Sequence, residues 1–404
     1  LTYRMLSRAE IDEYKAAESY CFMVPPDVLE PYFQHKIKQE HTRGIVGPDG
    51  TLQVALTNYP FSLYIGGAKL GMGGIAGVVS WPEYRRGGLV GEMLRQCLRE
   101  TREQGMPLSG LYPFKQSFYR QFGWEVAAAW VQHEIPVDLL RQFPRLATGV
   151  LRRYAPCEDN WAALATVYAK YASARRGYIV RETKEYWDAW INPPWAKPDH
   201  QWHVALWRPS AVAEPEGYLL YRLNKNDQGQ WHLAIKELVA LTLEAQQSLW
   251  GFVAQHDSQV KRVEIRLPRE YPLWHLVENT HEVKSELKSG WMLRLADLKA
   301  AFEQRPWAGV PNGSLTLAVK DGQAPWNAGT WRIAFESGQV SVGKAEAEIA
   351  DLSTDVGTLS ALYAGFYRPE QCVTSGRLAC SDAGALRLLA QAFAGEEMWY
   401  YEYY

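Results

Sequence analysis

Residues 78–91 read Val78-Val79-Ser80-Trp81-Pro82-Glu83-Tyr84-Arg85-Arg86-Gly87-Gly88-Leu89-Val90-Gly91. The apolar run 74–79 enters this segment as a strand and Pro82 ends it. Past the paired glycines, Leu89, Val90, Met93, Leu94, Cys97 and Leu98 recur at helical spacing until Gly105 closes the helix. A strand that feeds a glycine loop and then a helix turns backbone N–H groups and the positive helix end toward one point. Such a concavity suits a pyrophosphate. Arg85 and Arg86 add forked donors, and the helix dipole contributes about 0.3–1 kcal/mol for a nearby anion. The same letters also fit a plain glycine turn with solvated arginines.

Upstream, residues 8–19 form an amphipathic helical stretch, 54–58 a strand, and 62–65 with 68–70 a hairpin about Gly66-Gly67, where glycine accepts positive φ. A second unit begins near residue 150, with helical text over 160–174 and then Trp187, Trp190, Pro193, Pro194 and Pro198. It continues as strand 217–223, turn 224–229, strand 231–241, helix 244–255 and strand 262–267, which echoes the first unit. The echo lacks the glycine loop, since Ala240, Leu241 and Thr242 lead straight into Glu244, Ala245 and Gln246. If it is a repeat, its anion site is lost. A third unit follows Leu295, with strands 314–319, 330–335 and 339–342 and helices 358–365 and 383–394. The last residues are Glu396, Glu397, Met398, Trp399, Tyr400, Tyr401, Glu402, Tyr403 and Tyr404, too aromatic to be left in water.

Composition narrows the function. With 404 residues, two or three domains are expected. Lys plus Arg number 43 against 45 Asp plus Glu, a formal charge of -2, so a duplex nucleic acid partner is not expected. At 47% hydrophobic the chain is not of disordered composition, and no apolar run reaches the roughly 18 residues of a membrane span. The opening Leu1, Thr2, Tyr3, Arg4 has no signal-like core, so a cytoplasmic protein is expected. Cys21, Cys97, Cys157, Cys372 and Cys380 are odd in number and never in a CxxC pair, and read as reduced packing residues with no zinc site.

Arg85-x-x-Gly88, after a strand and Pro82 and at the head of a helix, resembles the acetyl-CoA signature of the GNAT N-acetyltransferases, with Val90 where the usual pattern has a small residue. Loop, tail and three-unit layout together resemble the Eis (enhanced intracellular survival) family. The resemblance implies an α/β (α+β) chain of two tandem GNAT-type mixed-sheet domains followed by a sterol-carrier-protein-like domain. It divides as 1–149 catalytic, 150–294 degenerate and without cofactor, and 295–404 carrying a tail that enters the active site.

The resemblance also implies roles. Backbone groups of Val78, Val79 and Ser80 would bond the pantetheine arm. Arg85, Arg86, Gly87, Gly88, Leu89, Val90 and Gly91 would surround the pyrophosphate, with a further contact near Phe114 and Lys115. Acetyl transfer needs a base for the amine and an acid for the departing thiolate. A phenol with pKa near about 10 suits the acid, and Tyr119 occupies the family's acid position, though by itself it also reads as an aromatic packing a short helix. The base would be the terminal carboxylate of Tyr404, raised by burial from about 3.5. Part of the loop Cys21, Phe22, Met23, Val24, Pro25 and Pro26 would line the acceptor cleft. The expected activity is acetyl-CoA-dependent acetylation of a primary amine (aminoglycoside, polyamine or lysine) in one ternary complex, with Glu396, Glu397 and Glu402 favouring cations. The family also implies a homo-oligomer, a hexamer. The alternative is an apolar-ligand carrier whose GNAT domains are inert scaffold.

Other patterns fall away. Gly71, Gly73 and Ala76 precede the strand instead of following it and so lack dinucleotide-site geometry, while Gly338, Gly343 and Lys344 have P-loop spacing but Ala345 in place of the metal-binding hydroxyl. His200 with His203, and His281-Glu282 without a histidine at Ser285, specify no metal.

Overall fold

A computed structural model describes residues 2–143, 149–154, 160–193, 201–226, 229–346 and 349–404; Cys157, Pro194, Pro198 and His200 lie outside the described residues. Through residue 126 the chain forms β1 (Thr2–Met5), α1 (Arg8–Phe22), α2 (Pro26–His35), β2 (Thr42–Val46), β3 (Leu52–Ile65), β4 (Ala68–Ser80), α3 (Leu89–Glu103), β5 (Leu108–Leu111), α4 (Gln116–Arg120) and β6 (Glu125–Val126). There follow β7 (Ala129–Pro136), β8 (Val150–Tyr154), α5 (Trp161–Ser173), β9 (Arg176–Ile179), α6 (Lys184–Ile191), β10 (His203–Arg208), β11 (Gly217–Lys225), β12 (Trp231–Ala240), α7 (Leu243–Ala254), β13 (Arg262–Pro268), α8 (Leu273–Leu276) and β14 (Lys284–Ser289). The last part forms β15 (Met292–Leu295), α9 (Leu298–Gln304), β16 (Gly313–Lys320), β17 (Gly329–Glu336), β18 (Gln339–Lys344), β19 (Leu352–Asp355), α10 (Val356–Tyr363), α11 (Pro369–Thr374), β20 (Leu378–Cys380) and α12 (Ala383–Ala392).

Three mixed sheets result. The first has the order β1-β2-β3-β4-β5-β15-β6 with β9 added against β3, the second β14-β7-β13-β12-β11-β10-β8, and the third β18-β17-β16-β19-β20. By contact the chain divides into one compact unit of Leu1–Ala128, Arg175–Ile179 and Gly290–Tyr404 and another of Ala129–Ala174 and Val180–Ser289. Strand β7 therefore leaves the first sheet's run of sequence to pair in the second sheet, and β15 returns to complete the first between β5 and β6.

The sequence suggests separate short strands at 54–58, 62–65, 68–70 and 74–79, interrupted at Pro60 and at Gly71 and Gly73. The structure instead runs β3 and β4 as one long hairpin, with Pro60 opposite Gly73 and Gly66-Gly67 at the turn. Glycines make this possible. A Cβ on Gly74 would stand 2.6 Å from the Phe61 ring, so its absence lets the aromatic residues of β3 lie across β4.

Alternation along β3 separates two cores within the first unit. Val54 and Leu56 pack with Met93, Leu94, Cys97 and Leu98 of α3, whereas Ala55 packs with Tyr14 and Ala17 of α1 and Phe33 of α2. Helix α1 begins in a capping box, the Ser7 N–H donating to Glu10 at 2.8 Å, and ends on Met23 in the left-handed region. The second unit has its own core, in which α7 lays Leu249, Trp250 and Val253 against Trp207, Leu219 and Leu233.

Candidate active site

β4 and β5 pair in parallel from Met72 opposite Leu108 to Ile75 opposite Leu111, and there they part. β4 continues to Ser80 held only by β3, and the register slips between Thr57 opposite Ala76 and Ala55 opposite Val79. At this bulge Gly77 takes φ +56. The parting strands leave an edge of β4 carrying Val78, Val79 and Ser80 and facing the gap. The Ser80 carbonyl accepts from Arg85 Nε at 3.0 Å and from the Cys21 thiol at 3.4 Å. Arg85 is thus placed as a brace across the end of β4.

Beyond the gap, Arg86 has φ +65 and Gly88 φ +83, and α3 starts on Gly88 with no side-chain cap. The first-turn N–H groups of a helix have no intrahelical partner, so they point outward as donors. Arg86, Gly87 and Gly88 are exposed, and Leu89 and Val90 are half-buried against the α3 core. Gly91 is buried beneath Phe122. The corresponding helix of the second unit is closed differently, since Thr242 caps α7 by accepting from Ala245 N at 3.3 Å. There a threonine hydroxyl, not a glycine, stands at the helix N-terminus.

On the α3 face, α4 carries Tyr119, which is 3% exposed and packs edge-on to Phe118 and Trp124. It shares a cluster with Ile75 and Leu111, the last pair before the strands part. Burial pushes its phenol well above the ordinary value, so it keeps its proton at neutral pH.

On the α1–α2 face the tail is docked. Met398 N donates to Ala364 O at 2.8 Å and Trp399 N to Arg176 O at 2.9 Å. Tyr400 stacks on Trp291 at 4.3 Å, Tyr403 stacks on Tyr112 at 4.1 Å, and the Tyr404 ring lies 4.9 Å from Phe61, directly over Gly74. Tyr112, next to the last paired residue of β5, has a buried hydroxyl with no hydrogen-bond partner among the described residues. Lys36 donates to Tyr403 O at 3.4 Å beside the Tyr32 and Tyr59 rings, and burial, opposed by Glu402, lowers its ammonium to about 8.

Of the early loop, Cys21 reaches the end of β4, while Met23 is 89% exposed and turned to solvent. Phe114 and Lys115 are exposed between β5 and α4, with Phe114 against Tyr119. Cys97 is buried in the α3 core, its thiol pushed up to about 12 by desolvation. Cys21, Cys97, Cys372 and Cys380 are free thiols. Gly71, Gly73 and Ala76 lie within β4, and Ser337-Gly338 form the β17–β18 turn. Sequence reasoning missed Tyr14, Glu18, Tyr59, Tyr112 and Trp291. Their signal is weak because Tyr14, Glu18 and Tyr59 sit in ordinary helix or strand patterns while Tyr112 and Trp291 merely flank short strands, and only the tertiary fold brings them to the bulge of β4 and the docked tail.

Comparison with known proteins places these features in a family. Residues 2–127 and 160–295 each match an acetyltransferase (GNAT) domain family, and residues 298–401 match a sterol carrier protein domain. The N-acetyltransferase Eis of Mycobacterium tuberculosis is 28% identical over 336 residues, covering 80% of this chain and 78% of its own. A GCN5-related N-acetyltransferase from Anabaena variabilis superposes with a TM-score of 0.88 at 27% identity over 98% of both chains. Eis1 from Mycobacterium abscessus shares the fold with a TM-score of 0.81 at 22% identity, again over 98% of both chains. With two GNAT domains and a sterol carrier protein domain, this chain is an acetyltransferase of the GNAT type whose construction resembles that of the Eis N-acetyltransferases.

Proposed function

We propose that the protein transfers the acetyl group of acetyl-CoA directly to a primary amine within a ternary complex. GNAT acetyltransferases use acetyl-CoA, and the observation that carries the assignment here is the gap between β4 and β5 facing the uncapped start of α3. Val78, Val79 and Ser80 would hold the pantetheine arm by their backbone. Arg86, Gly87, Gly88, Leu89, Val90 and Gly91 would surround the pyrophosphate, with Arg85 bracing the loop to Ser80. Tyr119 would protonate the departing sulfur. With Tyr404 as the C-terminal residue, its main-chain carboxylate would take a proton from the reacting nitrogen, and the docked rings of Tyr403 and Tyr404 support that placement. In this scheme 1–149 supplies the chemistry, 150–294 binds no cofactor, and 295–404 delivers the tail.

Aminoglycosides, polyamines and lysine side chains are the proposed acceptors, and the acidic tail supports a cationic one, with Glu402 partly offset by Lys36. Isothermal titration with acetyl-CoA, followed by thiol release with spermidine, kanamycin and a lysine peptide, tests the assignment. Binding and release are expected. Fusing residues after Tyr404 should abolish turnover and leave acetyl-CoA affinity intact, and unchanged turnover would rule the tail carboxylate out.

The carrier reading has one feature in its favour, the sterol carrier protein match over 298–401. Against it, the Arg305 guanidinium there is buried among the Trp307, Tyr363 and Phe393 rings. Absence of acetyl-CoA binding in the titration would return that reading to first place. The cytoplasmic hexamer implied by the family is proposed with the same activity, and light scattering and cell fractionation test it. Among the described residues no helix is long and apolar enough to cross a membrane.

A further inference from the structure

An ammonium that becomes an amide sheds two protons from one nitrogen, one before it can attack and one after, and the scheme above names an acceptor for only one. The acceptor side of the gap holds a second carboxylate. Glu18, on α1, is 5% exposed, and no salt bridge to it is found among the described residues. It lies directly against the bulge of β4: a Cβ on Gly77 would stand 2.1 Å from Glu18 Oε1 and 2.0 Å from Tyr14 Oη. Tyr14 Oη donates to Gly77 O at 3.0 Å and lies 3.1 Å from Thr57 Oγ1, which fixes the phenol beside the carboxylate. Thr57, Tyr59 and Phe61 alternate onto this face of β3, so Glu18 and the Tyr404 ring, over Gly74, share one side of β4. Tyr119 lies in the core on the other side.

We propose that Glu18 is the group that deprotonates the incoming ammonium, a role resting on the acetyltransferase assignment above. The ammonium proton passes to the Glu18 carboxylate, and the freed lone pair forms the C–N bond at the thioester carbonyl carbon while the C–S bond breaks. The nitrogen's second proton goes to the tail carboxylate, and the Tyr119 hydroxyl protonates the sulfur. The proton taken by the tail returns to Tyr119 through solvent, and the one on Glu18 is the net proton released.

The chemistry of Glu18 suits this use. Burial raises its carboxyl from 4.5 to about 7, the adjacent Tyr14 hydroxyl opposing part of the rise. Among the described residues, the titratable groups that face it are phenols, namely Tyr14 on α1, Tyr32 on α2 and Tyr59 on β3. A base with a pKa near neutrality is the effective one at neutral pH.

The test compares two acceptors in the full-length enzyme. Spermidine enters protonated at neutral pH, whereas hydroxylamine is already a free base. Glu18→Gln, isosteric and neutral, should lower kcat with spermidine by about 10²–10⁴-fold, remove the acidic limb of the kcat–pH profile near pH 7, and leave transfer to hydroxylamine within a few-fold of wild type. A tail extension should suppress both acceptors alike. Equal losses of the Gln variant on the two amines, or retention of the acidic limb, would overturn the role of Glu18. So would acetyl-CoA binding without transfer to either amine. Failure of acetyl-CoA to bind the wild-type protein in titration would instead sink the acetyltransferase assignment itself.

Discussion

A buried carboxyl with a raised pKa leaves a thermodynamic signature apart from any role in turnover. Between pH 4.5 and about 7 the native protein keeps a proton on Glu18 that the unfolded chain has released. The folded state binds more protons in that window, so stability falls as pH rises through it and stays lower above it. At about 1.4 kcal/mol per unit, the loss amounts to at most about 3.5 kcal/mol. Glu18→Gln should therefore melt higher than wild type at pH 8 and close to it at pH 4.5, as read by differential scanning calorimetry. Tyr119 differs in sign of use: its burial guards a proton for donation. Tyr119→Phe removes the donor with little change in packing, so kcat should fall by about 10²-fold or more while titration calorimetry returns wild-type acetyl-CoA affinity.

At the level of elements, two glycines of positive φ make contrasting predictions. Gly77 has φ +56 and its missing Cβ position is filled by Tyr14 and Glu18, so Gly77→Ala must displace both or flatten the bulge. Loss of activity with a lowered melting temperature is expected. Gly88 has φ +83 with open space around it, so Gly88→Ala meets only backbone strain of about 1–2 kcal/mol. It should weaken acetyl-CoA binding by roughly tenfold in titration and leave the melting temperature within a few degrees. The loop and α3 were legible in the sequence because strand, proline, glycine pair and helical period are all local signals. The second unit's strand–turn–strand–helix–strand order was legible for the same reason, and Thr242 shows why its loop needs no glycine: a hydroxyl caps the helix. The exchange of β7 and β15 was not legible, because four or five apolar residues say nothing of which sheet receives them. Glu18 was hidden in the polar stripe of an amphipathic helix, where a carboxylate is ordinarily solvated. Its burial comes from β4 bending at Gly77.

Within the first unit, a fully buried ion pair helps fasten the third sheet's segment to the first sheet, where Arg377 also pairs with Glu125. Arg294 on β15 donates to both oxygens of Asp321, at 2.7 and 2.9 Å, with side chains 0% and 1% exposed, and also to the Phe122 carbonyl at 2.7 Å. Asp321 further accepts from Ala324 N and Asn327 Nδ2. Removing one partner strands a buried charge, so Asp321→Ala should destabilise by about 3–5 kcal/mol in denaturant titration, whereas replacing both residues with well-packed apolar ones should cost far less. The placement of β15 bears on biosynthesis as well. β5 emerges from the ribosome early, yet its neighbour at residues 292–295 is translated long after, a delay of roughly 10–40 s at about 5–20 residues per second. Through that interval the nascent polypeptide carries a naked, apolar β-edge capable of recruiting strands from other chains, so holding factors that mask such edges should raise its yield.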